Sequence, residues 1–272
     1  MLIELWLDQP VWLILTALAA LFATTGFAIF AVTHGPLVRG RVAALSGVVP
    51  PFFGAIAILF ALLTGFLAND AWERNRQAAR SILAERDALV AIQDLSFAAA
   101  SDMASVRAAS RAYLDAVVNE EWPLMLDGKA SVKASAALQE LLRELAAPQV
   151  TSDVGPIAHA TLLDQALRVR AARSDRLAVS EQHTDHPKWW TVLVLACLTQ
   201  VALALVHLDR AGSQAAALVV FSAAAIVALG LVAAKERPFD GPLAIQPTAL
   251  REALHAMTTA DLSRNVESKR VD

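Results

Sequence analysis

The sequence predicts an all-α membrane protein: four transmembrane helices, with a helical extramembrane domain between spans two and three. Three observations carry this reading. Four long runs, 11–33, 42–68, 189–208 and 211–234, contain no Asp, Glu, Lys or Arg. About 20 apolar residues at 1.5 Å per residue match the thickness of a bilayer's hydrocarbon core. Backbone groups in lipid must be satisfied within the segment, so each run is expected to be a helix rather than a strand. The charges are also unevenly placed. Of the 272 residues 56% are apolar and 18% charged, and segment 69–188 alone holds 14 Lys/Arg and 17 Asp/Glu. Nine residues of each sign serve the rest of the chain, so the central segment is water-facing and mildly acidic while the remainder is neutral.

These boundaries divide the chain into a first transmembrane hairpin (1–68), a helical domain (69–188), a second hairpin (189–234), and a turn, short helix and tail (235–272). The start, Met1-Leu2-Ile3-Glu4-Leu5-Trp6-Leu7-Asp8, is acidic where a cleavable signal would be basic, and the first span is too long for one. Trp6, Trp12, Trp72, Trp189 and Trp190 stand at span ends, where indoles anchor at the headgroup level. With four spans, both termini and the central domain share one side. That side carries Arg74, Arg76, Arg80, Arg176, Lys188, Lys235 and Arg237 near the membrane, against Arg39, Arg41 and Arg210 opposite. Seven basic residues against three place the central domain in the cytoplasm.

Within the central domain Ala, Leu, Arg, Glu and Gln dominate, and apolar residues such as Ile82, Leu89 and Ile92 recur at helical spacing. The first segment, 69–97, is expected to continue span two, since neither Pro nor Gly follows Gly65. A second helix is expected from Ser101-Asp102 to Trp122-Pro123, and a third over 131–147, stopped by Pro148. A fourth is expected from a Ser152-Asp153 cap to about His183. Beyond Pro238 the pattern predicts a short amphipathic helix over 247–262 and a fraying end.

Most catalytic classes find no support in the residues. The glycines form no phosphate-cradling loop and no serine sits in a nucleophile elbow. No basic excess points to nucleic acid, and no cofactor is expected. The sole cysteine, Cys197, falls inside span three, so no disulfide framework exists. Glu181, His183, Asp185 and His186 are weak metal-ligand candidates, because two His at i and i+3 can share a helix face with a carboxylate. A polar juxtamembrane turn explains them more simply. Glu120-Glu121 reads as a solvated face, since successive helical residues diverge by roughly 100°.

Span two carries the sharper hypothesis. It opens on Pro50-Pro51, which removes two backbone donors. Phe52, Ile56 and Phe60 then recur at i, i+4 and i+8. The stripe is either packing against lipid and neighbours or an apolar ring that gates a pore by dewetting when subunits assemble. Thr16, Thr24, Thr25, Thr64, Thr199, Gln200 and Ser222 complete the polar inventory of the spans. Ion-coupled transporters place ionisable groups at the midplane, and none occurs here.

Three further stretches resemble a known family. Gly65-Phe66-Leu67-Ala68-Asn69-Asp70-Ala71-Trp72-Glu73-Arg74-Asn75-Arg76 follows span two, and Arg237-Pro238-Phe239-Asp240-Gly241-Pro242-Leu243 follows span four. With Asn119-Glu120-Glu121-Trp122-Pro123 between them, they resemble the bacterial bestrophin-like family over about 42–254, and more distantly the bestrophin anion channels. The resemblance singles out Trp72, Glu73, Arg74, Arg76, Trp122, Pro238, Phe239 and Gly241 as motif residues. It implies a multi-pass protein of the bacterial inner membrane and a homo-oligomer, pentameric by analogy. It also implies a long second span lining a pore for small anions. The chain departs from the pattern in placing Asp240 between Phe239 and Gly241. It also lacks the acidic run that forms the calcium clasp of animal bestrophins, so calcium gating is not implied. The alternative function is a membrane-anchored structural or signalling scaffold whose helical domain binds a ligand or partner.

Overall fold

The computed structural model describes residues 2–35, 50–99, 103–182 and 184–271, and these are helical throughout with no strand among them. In chain order the helices are α1 (Leu2–Leu7), α2 (Val11–His34), α3 (Pro50–Ala98) and α4 (Ala104–Ala116). A π-turn (Val117–Glu121) and two short turns (Trp122–Leu124, Met125–Asp127) lead to α5 (Val132–Leu145). Then come α6 (Pro148–Glu181), α7 (His186–Val206), α8 (Ala211–Ala234) and α9 (Thr248–Val271). Helices α2, α7, α8 and the first part of α3 are the four long and apolar enough to cross a membrane.

Two compact units share these elements. The first comprises Met1–Arg74, His183–Arg237 and Gly241–Leu243. Its core joins Leu7, Ile14, Leu18 and Phe22 to Leu67, Trp189, Val192 and Leu229. Small residues let these helices approach closely, as is usual where lipid tails are as apolar as the side chains. Gly230 shows it: a Cβ there would lie 2.4 Å from Leu15 Cδ2, so the α2–α8 contact is close enough that Leu15 would have to shift for any larger residue. Trp189 belongs to this core. It is fully buried, edge-on to Trp6 at 5.3 Å, whereas Trp12, Trp72 and Trp190 are exposed.

The spans are also knitted by neutral polar groups. Gln200 on α7 donates from Nε2 to the Phe22 carbonyl (3.1 Å) and to Ser222 Oγ (3.0 Å). Its Oε1 accepts from Thr25 Oγ1 (2.7 Å). Gln214 repeats the device, donating to the Ala204 carbonyl (2.8 Å) and accepting from Thr33 (3.1 Å). Thr24 bonds its own helix backbone as an intramembrane hydroxyl is expected to. Thr25 shares its one proton between the Leu21 carbonyl and Gln200 Oε1, while Ser222 donates to the Leu218 carbonyl and accepts from Gln200.

The second unit comprises Asn75–Gln182, Pro238–Asp240 and Ala244–Asp272. Its core gathers Ile82, Leu89 and Ile92 with Tyr113, Leu114, Met125, Leu141, Val169 and Leu250. Helix α5 starts where Ser131 Oγ accepts from the Ala134 N–H (3.2 Å), an N-cap that satisfies an otherwise orphaned donor. Its buried Ala134, Leu138, Leu141 and Leu145 recur at i, i+4, i+7 and i+11. Several expectations need correction here. Helix α6 begins at Pro148, not at a Ser152-Asp153 cap; the break falls at Gly155 (φ 79°) before Pro156. Pro148 acts as a first-turn proline, where its missing N–H costs nothing. The C-terminal helix runs from Thr248 to Val271, well past 262. Ser101-Asp102 lies outside the described residues.

Candidate functional site

Span two presents two unlike sides. Ile56 and Phe60 are half-buried, and the Phe60 ring sits 5.7 Å from Phe221 of α8. The Phe52 side chain lies outside the described residues. An i, i+4 step advances an α-helix by roughly 40° beyond a full turn. Phe60 thus lies one such step beyond Ile56 and packs into the subunit's own core against Phe221. The opposite side carries Ile58, Leu59, Leu62 and Phe66, all more than half exposed. Sequence reasoning did not single these out, because a helix that is apolar all round has no periodicity to show which face is covered.

Charged residues at the end of span two pair within the first unit. Arg74 donates to the buried Glu236 carboxylate at 2.7 Å. Burial pushes Glu236 above the usual carboxylate range, although Arg74 pulls it back. Lys188 pairs with Asp70 (2.7 Å) and Asp185 (3.2 Å), and Arg237 pairs with Asp8. The Arg74 charge is thus compensated within the subunit. Trp72 is exposed; Glu73 and Arg76 each make further polar contacts in the fold. After span four, the Gly241 N–H donates to the Arg237 carbonyl (3.1 Å). A Cβ on Gly241 would lie 2.7 Å from that oxygen, so the turn requires glycine. Phe239 packs edge-on to Trp122 at 5.7 Å, which brings two of the motif stretches together in the second unit. The Ile245 N–H donates to the Pro238 carbonyl and closes the loop (2.8 Å).

Behind Trp122 lies a cluster absent from the sequence reading. Arg176 is fully buried, and its guanidinium stands 5.6 Å over the Trp122 ring. Nε and Nη2 grip Glu85 (2.8 and 3.1 Å), Nη2 also reaches Glu121 (2.9 Å), and Nη1 meets Met125 Sδ (2.7 Å). Arg173 bonds both oxygens of Glu121 and donates to Ser135 Oγ (2.9 Å). The Ser131 N–H donates to Glu121 (3.1 Å), and Tyr113 donates to Glu85 (2.5 Å). Burial favours neutral forms, but the opposite charges win for three members. Glu121 is held below the usual carboxylate range by Arg173 and Arg176. Both arginines stay charged through their glutamates. Tyr113 is pushed well up by burial and by Glu85. The solvated-face expectation holds only for Glu120, which is partly exposed and pairs with Lys133; Glu121 is wholly buried.

Of the metal candidates, Asp185 caps α7 by accepting from the Lys188 N–H (3.3 Å). His186 Nε2 lies 3.1 Å from Glu4, Glu181 is exposed at the end of α6, and His183 lies outside the described residues. Among the described residues no three His, Cys, Asp or Glu side chains gather as a metal site.

The family model of the bestrophin-like domain matches residues 20–250. A crystal structure of a membrane protein solved as a proline-to-alanine variant superimposes with TM-score 0.69 at 12% identity, covering 89% of this chain and 98% of that one. A bacterial bestrophin homologue from Klebsiella pneumoniae superimposes with TM-score 0.63 at 11% identity, covering 87% and 98%. No functionally curated protein matches the sequence.

Proposed function

The chain belongs to the bestrophin-like family, and from that membership we propose that it forms an oligomeric anion channel with span two lining the pore. The observation that supports this most is the uncovered side of α3, where Ile58, Leu59, Leu62 and Phe66 stand exposed in one subunit. A span beside a pore needs such a side, since it must meet both neighbouring copies and the lumen. In this reading Phe52 and Ile56 narrow the lumen, and Phe60 anchors the stripe on Phe221. An apolar ring empties of water easily, so ions face a desolvation barrier that smaller side chains lower.

Liposome reconstitution tests it. Replacing Phe52, Ile56 and Phe60 with alanine is expected to raise chloride flux, with Ile56→Ala alone giving part of the gain without touching the Phe221 contact. A folded, assembled triple variant that passes no more chloride than empty liposomes would sink the constriction. The scaffold reading would then lead, and a monomer in nanodiscs would remove the pore altogether.

The orientation belongs to the same proposal: a plasma-membrane protein with its central domain in the cytoplasm, supported by the seven-to-three basic asymmetry. Lys129→Cys and Ser213→Cys should react oppositely with an impermeant thiol reagent on intact cells. Labelling at 129 but not at 213 reverses the orientation.

A further inference from the structure

Helices α5 and α6 of the second unit enclose a groove of about 410 Å³ between matching stripes. From α5 come Ser135, Leu138, Gln139 and Leu142; from α6 come Arg170, Arg173, Ser174 and Leu177. Each set follows i, i+3, i+4 and i+7, so each is one face of its helix. Leu138 is buried beneath it, while Leu142 and Leu177 are partly covered and pack against the core. The groove thus joins an apolar floor to hydroxyl, amide and guanidinium groups.

The charges make it more than a gap between helices. Arg173 spends Nε and Nη2 on Glu121, Ser131 and Ser135, and its Nη1 takes no partner among the described residues. Glu121 in turn is shared with Arg176, and Arg176 with Glu85. Two glutamates and two arginines therefore balance inside the cluster. Arg170, one turn before Arg173, is exposed and forms no ion pair among the described residues, so it adds a positive charge that nothing in the groove offsets. No carboxylate lines the cavity. The Arg173 Nη1, held rigid by the bonds of its Nε and Nη2, can donate to an oxyanion with most of its ordering cost met before the ligand arrives, while Arg170 offers its whole guanidinium.

We propose that this groove is a binding site for a small amphipathic anion: its carboxylate or phosphate lies between Arg170 and Arg173, and its short apolar portion lies over Leu138, Leu142 and Leu177. This inference does not depend on the channel reading, since the site lies wholly within the helical unit.

The test uses the full-length protein in detergent with defined probes: hexanoate, hexanol, acetate and inorganic phosphate, followed by calorimetric titration and the thermal unfolding midpoint. Hexanoate is expected to bind saturably and raise the midpoint, as any ligand of the folded state alone must. Acetate and phosphate are expected to bind more weakly, and hexanol, with the tail and no charge, not saturably. Arg170→Gln changes only an exposed side chain, so the variant should fold normally and lose about tenfold or more in hexanoate affinity, as expected for one charge-assisted contact. Leu142→Asn should weaken hexanoate and leave phosphate unchanged. Equal shifts from hexanol and hexanoate would overturn the site as micelle partitioning. Undiminished hexanoate binding by Arg170→Gln would overturn it too. A change of oligomer mass in that variant would assign the groove to contact between copies, and so would equally overturn the small-ligand reading.

Discussion

The membrane spans and the second unit bury polar groups in different ways. In the spans the buried polar side chains are neutral: Gln200 and Gln214 are fully enclosed and hydrogen-bonded across helices. In the second unit they include a set of charges, with Glu85, Glu121 and Arg176 fully enclosed and Arg173 nearly so, beside neutral Ser96 and Ser110. The difference follows from the surroundings. A charge within lipid has no water to fall back on during insertion, so neutral amides that find three partners are the cheaper glue. A water-facing helical unit can bring charges together from solvent and desolvate them as matched sets. Their mutual attraction repays that desolvation only when every lone pair and proton is used. The lesson is that removal should be far more damaging in one unit than in the other.

The largest expected effect comes from Arg176→Leu, which leaves buried Glu85 with Tyr113 alone and takes from Glu121 one of its two arginines. Breaking such a set typically costs about 3–5 kcal/mol, read as loss of helical signal at lower denaturant in detergent. Adding Glu85→Leu to Arg176→Leu should recover much of the loss, because an unpaired buried charge is worse than none. If the double variant were less stable than the single, the ionic account of this unit would fail.

In the membrane, Gln200→Leu should matter less. Interhelical hydrogen bonds in lipid average about 0.6 kcal/mol and reach about 1.7, so this variant should stay assembled and unfold only slightly earlier. A Gln200→Leu penalty as large as that of Arg176→Leu would erase the contrast between the units.

The smallest effects are in pH dependence, and their signs differ. Glu121 has a folded pKa below its ordinary 4.5. Its stabilisation is therefore present above pH 4.5 and is lost as pH falls through the depressed folded value. Glu236 has a folded pKa raised by burial, so its contribution is present below its ordinary value and is lost as pH rises through the raised one. Unfolding midpoints measured across the acid range should show Glu121→Gln flattening the most acid limb. Glu236→Gln should flatten the limb just above it. Slopes left unchanged by both substitutions would refute the assigned protonation states.

The sequence by itself determined the helical class and the four spans. Uncharged runs of bilayer length admit few other structures, and 211–234 matches α8 residue for residue. The continuation of span two was legible too, since nothing between Gly65 and Phe97 interrupts a helix. The polar clusters were half legible. Arg173 and Arg176 fall on the stripe of Leu162, Ala166 and Val169, and Glu85 falls on that of Ile82, Leu89 and Ile92. A charge at a core position is a signal, but its partner is not written beside it. Ninety-one residues separate Arg176 from Glu85 and 52 separate Arg173 from Glu121. Adjacent Glu120 and Glu121 look alike in sequence, yet the π-turn sends one to solvent and the other to the core. The tertiary structure also decided that Trp189 is core and that Phe60 meets Phe221. Span length and helix propensity are properties of neighbouring residues, whereas burial and pairing depend on which distant helix lies opposite.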